Sequence, residues 1–444
     1  MPWKAAMLHL PSSPNPWAAQ RRHELDWLRV LAFALLIFYH LGMAYVAEWD
    51  WHIKSVHQSE ALQYPMRWSN QWRMSLLFLI SGAALSCQLR CNHGWHQPWR
   101  LTRRLLLPLI FGSLVVVAPQ SFVESKLAGA IADMGFPEFW RHYAGYPWGF
   151  GEPLPPAYRR LEGANAIWNH LWYLPYLFTY CLLAWALYPL VNQPAARQAA
   201  NRLAQSLPLA LLYLLPCLLI FVIGQWLWED FPTTHTFVND WHNHARSFAI
   251  FMLGFGLVRS QRLWQALARM RHLSLLLAVV CYGMISSCLE GGRVSTWLPW
   301  LAGIEAPLQG FIWSANLWLW LMALIGYAQV WLNRPSALLE SANRAVYCWY
   351  IFHQTLIVAG LYLLRPASLG PLWEPLLLLV GVIAGCGLTY WLVSKVPLLR
   401  GLCGIFQHPE PPSGTGQGRP ANRKLPPLQE PSGRAIADSP ASAK

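Results

Sequence analysis

The chain has 444 residues, of which 55% are hydrophobic and only 12% charged, with a formal net charge of +13. A charged share about half the usual one excludes an ordinary soluble globular protein. The basic residues lie between apolar runs and toward the C-terminus, so they read as a membrane-topology signal, and no nucleic-acid partner is expected.

Apolar runs of roughly the length that crosses a bilayer core recur at 26–46, 70–86, 105–123, 170–190, 207–227, 244–259, 273–289, 308–332, 345–364 and 373–394. They predict an all-α fold: a polytopic membrane helix bundle with about ten transmembrane helices. The 27 Trp and 17 Tyr suit a chain with many membrane interfaces. Residues 1–22 show no cleavable signal and read as a cytoplasmic segment, 23–396 as the membrane domain, and the polar stretch 397–444 as a disordered cytoplasmic tail. Placing the N-terminus in the cytoplasm assigns 22 of the 33 Lys and Arg to that side and eight to the outside. The loop 228–243 holds Glu229, Asp230 and Asp240 but no Lys or Arg, as an external loop should. An odd number of spans would spoil this alternation.

Ionisable residues inside a span are costly and mark function by default. In the first span, Arg29 and His40 are eleven residues apart, three helical turns plus roughly 20°, so they share a face with about 16 Å of rise between them. One face then carries a cation near the cytoplasmic surface and an imidazole near mid-membrane. A plainer account has Arg29 reaching lipid phosphates and His40 bonded to a neighbouring helix. Opening the third span, Arg100, Arg103 and Arg104 occupy i, i+3 and i+4 and form one basic face suited to phosphate, or a topology signal alone. His170-Leu171-Trp172-Tyr173 begins the fourth span. Asp240, His242 and His244 precede the sixth at a spacing that matches no zinc signature, so no metal is expected. Tyr350 and His353 lie in the ninth span, where a histidine bonded to another helix accounts for His353 as well as a catalytic one does. The nine cysteines form neither a disulfide nor a metal pattern.

These residues resemble the acyltransferase-3 family of bacterial membrane acyltransferases over about 23–396. Asp26-x-x-Arg29 with His40 is similar to the family's first-span signature, and Phe78-Leu-Ile-Ser81-Gly82 to its second-span segment. The Arg100–Arg104 cluster before Pro108 resembles its arginine motif, although the distance to the proline departs from the pattern. His170-Leu-Trp172-Tyr173, Phe251-Met-Leu-Gly254 and Ser341…Tyr350…His353 follow in the family's order. The tryptophan-rich spans and Asn239-Asp240-Trp241 look more like the glucan-succinylating branch than the lipopolysaccharide O-acetylases.

The resemblance implies a multi-pass protein of the bacterial inner membrane that moves an acyl group from cytoplasmic acyl-CoA to a hydroxyl of a carbohydrate or lipid-linked glycan. Acyl-CoA is then a substrate rather than a bound cofactor, and lipids surround the chain. His40 and Arg29 are the expected catalytic residues. Arg100, Arg103, Arg104, Asp26, Ser81, Trp172, Tyr350 and His353 are expected to bind substrate, with Tyr350 and His353 lining the cavity. Histidine titrates near operating pH and can take a hydroxyl proton. With no Gly-x-Ser-x-Gly elbow and no P-loop, direct transfer without ATP is the simpler chemistry. A transporter or flippase of a sugar or lipid would use the same Arg and His as a proton relay. A non-catalytic membrane partner of a glycan assembly would not need His40 at all. The shared face of Arg29 and His40 favours chemistry over both.

Overall fold

The computed structural model describes residues 22–131, 133–145, 168–289 and 303–405, which are helical with no strand among them. The long helices are α1 (His23–Met43), α2 (Gln63–Cys91), α3 (His96–Leu127), α4 (Tyr173–Val191) and α5 (Leu209–Leu227). They continue with α6 (Trp241–Leu257), α7 (Gln261–Leu289), α8 (Glu305–Trp331), α9 (Ala337–Leu364) and α10 (Trp373–Lys395). Short helices at Pro194–Ser206 and Pro397–Leu402 lie beside them. Pro397–Leu402, inside the stretch expected as tail, is helical. The remainder of that tail and residues 1–21 lie outside the described residues.

Among the described residues nine helices are long and apolar enough to cross a membrane, and the protein is a multi-pass membrane protein. The tenth expected span is α6, whose 17 residues reach about 26 Å at 1.5 Å each. Its crossing follows from α1 and α9. Arg29 on α1 bonds Asn343 on α9, and His40 meets His353 further along both helices, so the two run parallel. If every other long helix crosses, α9 is the ninth span and parallel to α1 only when α6 crosses as well.

Acidic Glu24 and Asp26 open α1, where the helix dipole favours them. Leu28, Ala32, Phe33, Leu36 and Ile37 are buried at helical spacing, while Leu31 and Phe38 face outward. Leu214, Leu218 and Val222 on α5 and Leu376, Val380 and Ile383 on α10 are exposed apolar residues of the kind a lipid-facing surface requires. By contrast α8 is buried on most sides.

Helices α2 and α6 meet backbone to backbone. A Cβ at Gly82 would come within 1.9 Å of the Phe251 carbonyl oxygen, and one at Gly254 within 2.0 Å of the Leu79 oxygen. The two glycine-containing motifs singled out in the sequence therefore pack against each other, as small residues do where membrane helices approach closely. Helix α3 contains two π turns, Thr102–Leu106 and Gly112–Val116. The first includes Arg103 and Arg104, so the α-helical register that would align them with Arg100 on one face is not the one this segment adopts.

Candidate active site

Toward the C-terminal end of α1, three histidines from three parts of the chain converge. His40 Nδ1 lies 2.8 Å from His353 Nε2, and the two rings are stacked with centroids 5.1 Å apart. His170, in the 3-10 turn before α4, stands edge-on to both, 6.1 Å from His40 and 5.1 Å from His353. His40 is the fourth residue from the end of α1, so the imidazole sits well past the middle of that helix rather than at its centre.

The bonding fixes which nitrogen carries the proton. His353 Nδ1 is 2.8 Å from the Tyr350 carbonyl oxygen and 3.1 Å from that of Trp349. A carbonyl only accepts, so Nδ1 is the N–H of the neutral ring and Nε2 is left with a lone pair. His40 Nδ1 must then donate to His353 Nε2, which leaves the lone pair of His40 on Nε2. The same logic applies to His170. Its Nε2 donates to the carbonyl oxygens of Tyr350 and Ile351, at 3.2 and 3.1 Å. Its Nδ1 is buried without a partner. His353 is fully buried, whereas His40 keeps part of its surface open. The accessible base in the group is therefore His40 Nε2.

Around this core, Tyr350 is buried and its hydroxyl donates to the His170 carbonyl at 2.8 Å. It thus fixes His170 instead of lining a cavity. Gln354, next to His353, donates from Nε2 to Gln120 Oε1 and to His52 Nε2, each at 3.0 Å. Gln120 in turn bonds Thr355 at 2.6 Å, and His52 Nδ1 donates to Glu124. This belt ties the middle of α9 to the last turns of α3 and to the loop after α1.

A different group occupies the other end of α1. Arg29 donates from Nη2 to Asp26 at 2.6 Å and to Asn343 at 2.9 Å. Arg104 lies within electrostatic range of Arg29, Asp26 and Tyr347. Ser81 Oγ is 2.8 Å from the Tyr173 hydroxyl, and Tyr173 is in turn within range of Arg29. Arg100, Arg103 and Arg104 are all exposed. An acyltransferase-domain model matches residues 22–391.

The chain belongs to the acyltransferase-3 family. No curated protein and no solved structure is matched by it. The acyltransferase-3 match starts directly before α1 and ends inside α10, so both polar groups lie within it, and it does not separate the family's branches. As a member of the family this chain is a membrane acyltransferase.

Trp172 of this acyltransferase packs tilted against His235, with centroids 4.0 Å apart. Asp240 is fully buried. It accepts from the backbone of Thr234 and His235, from Asn243 and from Tyr176. Those bonds give the stretch before α6 a structural role. Sequence reasoning left His170, Asn343, His52, Glu124, Gln120 and Gln354 out of the site. The position of His170 in the family's fourth-span segment and of Gln354 beside His353 were the available signals.

Proposed function

We propose that the chain transfers an acyl group from acyl-CoA to a hydroxyl of a carbohydrate or lipid-linked glycan. In this reading the Arg29 end of the bundle faces the cytoplasm of a bacterium, both termini lie there, and the bundle sits in the inner membrane. The glucan-succinylating branch is the more specific form of the same reading.

The observation that carries it is the double pairing of two parallel helices, Arg29 with Asn343 and His40 with His353. Along α1 the two levels are separated by about 16 Å of rise. A CoA phosphate held near Arg29 and Arg104 leaves a pantetheine arm long enough to bring its thioester to His40. The acceptor hydroxyl enters from the other side and is a poor nucleophile until deprotonated. His40 Nε2 takes that proton as oxygen attacks the thioester carbonyl. His353 and the carbonyls behind it keep the tautomer that makes Nε2 the base. Arg29 is held by Asp26 and Asn343, which leaves its guanidinium positioned without side-chain search.

Mass spectrometry of envelope glycans from cells with and without the protein tests this reading. The expected result is an acyl mass increment on a glycan, lost with His40→Ala, together with CoA release by membranes supplied with acyl-CoA. Unchanged glycans and undiminished acyl-CoA would contradict it.

A further inference from the structure

Arg73 lies on α2 with only 3% of its surface exposed. Its guanidinium keeps its charge at any working pH, and a buried unpaired charge is expensive. The other arginines with bonds in the bundle interior have them to defined partners: Arg29 to Asp26 and Asn343, Arg259 to Ser86. The Nε and Nη1 of Arg73 have no hydrogen-bond partner among the described residues, and none of the ion pairs there includes it. Its Cζ sits 3.6 Å from the centroid of the Tyr39 ring. An aromatic face attracts the cation and orients it, and the Tyr39 hydroxyl bonds the same guanidinium, yet Nε and Nη1 are left over.

Tyr39 links this guanidinium to the histidine site. The Tyr39 ring packs against His40 at 5.7 Å, and Arg73 is within electrostatic range of both His40 and His353. We propose that Arg73 is a catalytic residue whose unpartnered N–H groups hold the oxyanion formed when the acceptor hydroxyl attacks the thioester beside His40. The proposal rests on the acyl-CoA-to-hydroxyl reading above.

Each electron pair and proton in the step has a destination. The acceptor oxygen forms a bond to the acyl carbon, the carbonyl π pair moves onto the carbonyl oxygen, and the hydroxyl proton goes to His40 Nε2. The negative oxygen then faces Arg73. When the tetrahedral species collapses, that pair returns, the C–S bond breaks, and the thiolate takes the proton from His40. The ester and free CoA leave, and His40 is neutral again. A fixed cation in a buried site stabilises charge that exists only between these two events, which lowers the barrier without tightening substrate binding.

The test uses the full-length protein in membrane vesicles that retain their envelope glycans, with acetyl-CoA and succinyl-CoA as separate donors. CoA release and acylated glycan are both measured. Arg73→Met should lower kcat about 10²–10³-fold for both donors while KM holds. Arg73→Lys should recover part of the rate, and added guanidinium ion should partly restore Arg73→Ala. An unchanged kcat overturns the proposal. So does a loss confined to KM or to succinyl-CoA, which would make Arg73 an anchor for an acyl carboxylate. Should Arg73→Met not reach the membrane, Arg73→Lys replaces it: reduced kcat at constant KM for both donors supports the role, and parental kcat removes it. A parental protein that transfers nothing from either donor removes the acyl-CoA reading and this proposal with it. Transfer by the parent at a rate that Arg73 variants match removes this proposal alone.

Discussion

Arg29 and His40 lie on one helix and both reach α9, yet their surroundings are built differently. Arg29 is met by a carboxylate and an amide, groups that hold a permanent charge in place. His40 is met by an imidazole that is itself held by backbone carbonyls. The first arrangement suits an anchor for a polyanion, and the second suits a group that must gain and lose a proton. The difference teaches that one helix can hold a fixed charge and a titratable pair about 16 Å of rise apart, each fixed against a single partner helix. The proposed function assigns binding to the first and chemistry to the second.

That separation can be broken at either end. The largest effect is expected from His40→Ala, which should reduce transfer about 10²–10⁴-fold while acyl-CoA affinity stays at the parental level. Calorimetric titration of the purified variant with acyl-CoA, beside a CoA-release assay, checks both halves. At the other end, Arg29→Ala should weaken acyl-CoA binding by about ten- to a hundredfold, since a charge-assisted contact is worth roughly 1.5–3 kcal/mol. Its kcat at saturating donor should change much less. Equal loss of kcat and affinity in both variants would erase the distinction.

A smaller effect probes whether the two ends depend on one scaffold. A methyl added at Gly254 has no room against the Leu79 carbonyl, so α6 and α2 must separate. Gly254→Ala should cost about 1–3 kcal/mol of stability and disturb donor affinity and turnover together. Thermal unfolding in detergent with parallel kinetics measures this, and a parental melting temperature would contradict it.

The smallest effect concerns His235, in the stretch before α6. Burial pushes its pKa down to about 4, against the opposing pull of Asp240. A depressed histidine contributes stability that is present above the ordinary value near 6.5 and is lost as pH falls from there toward 4. His235→Gln should flatten that part of the stability–pH profile and leave neutral-pH transfer unchanged. The same acid slope in parent and variant would remove the assignment.

How much of this was legible depended on whether the information is local. Span positions were readable because length and apolarity are local properties. Even the short α6 was, since the charge alternation required it. The shared face of Arg29 and His40 followed from helical periodicity and holds along α1. The π turn through Arg103 and Arg104 was not readable from the i, i+3, i+4 spacing, which assumes α-helical register. His170 lies 180 and 181 residues from the two carbonyls it bonds, and Asn343 314 from Arg29, so only the folded bundle brings them together. Arg73 was visible in the sequence as a basic residue inside a span. That its Nε and Nη1 find no hydrogen-bond partner among the described residues could be seen only once its neighbours were placed.

The central claim is that His353 acts through His40 by holding its tautomer. A double-mutant cycle on the purified enzyme tests it most directly. His353→Ala alone should lower kcat with little change in acyl-CoA affinity. In a His40→Ala background the same substitution should cost nothing further, so that the double variant matches His40→Ala. Multiplicative losses in the double variant would show that His353 acts independently, and would contradict the claim.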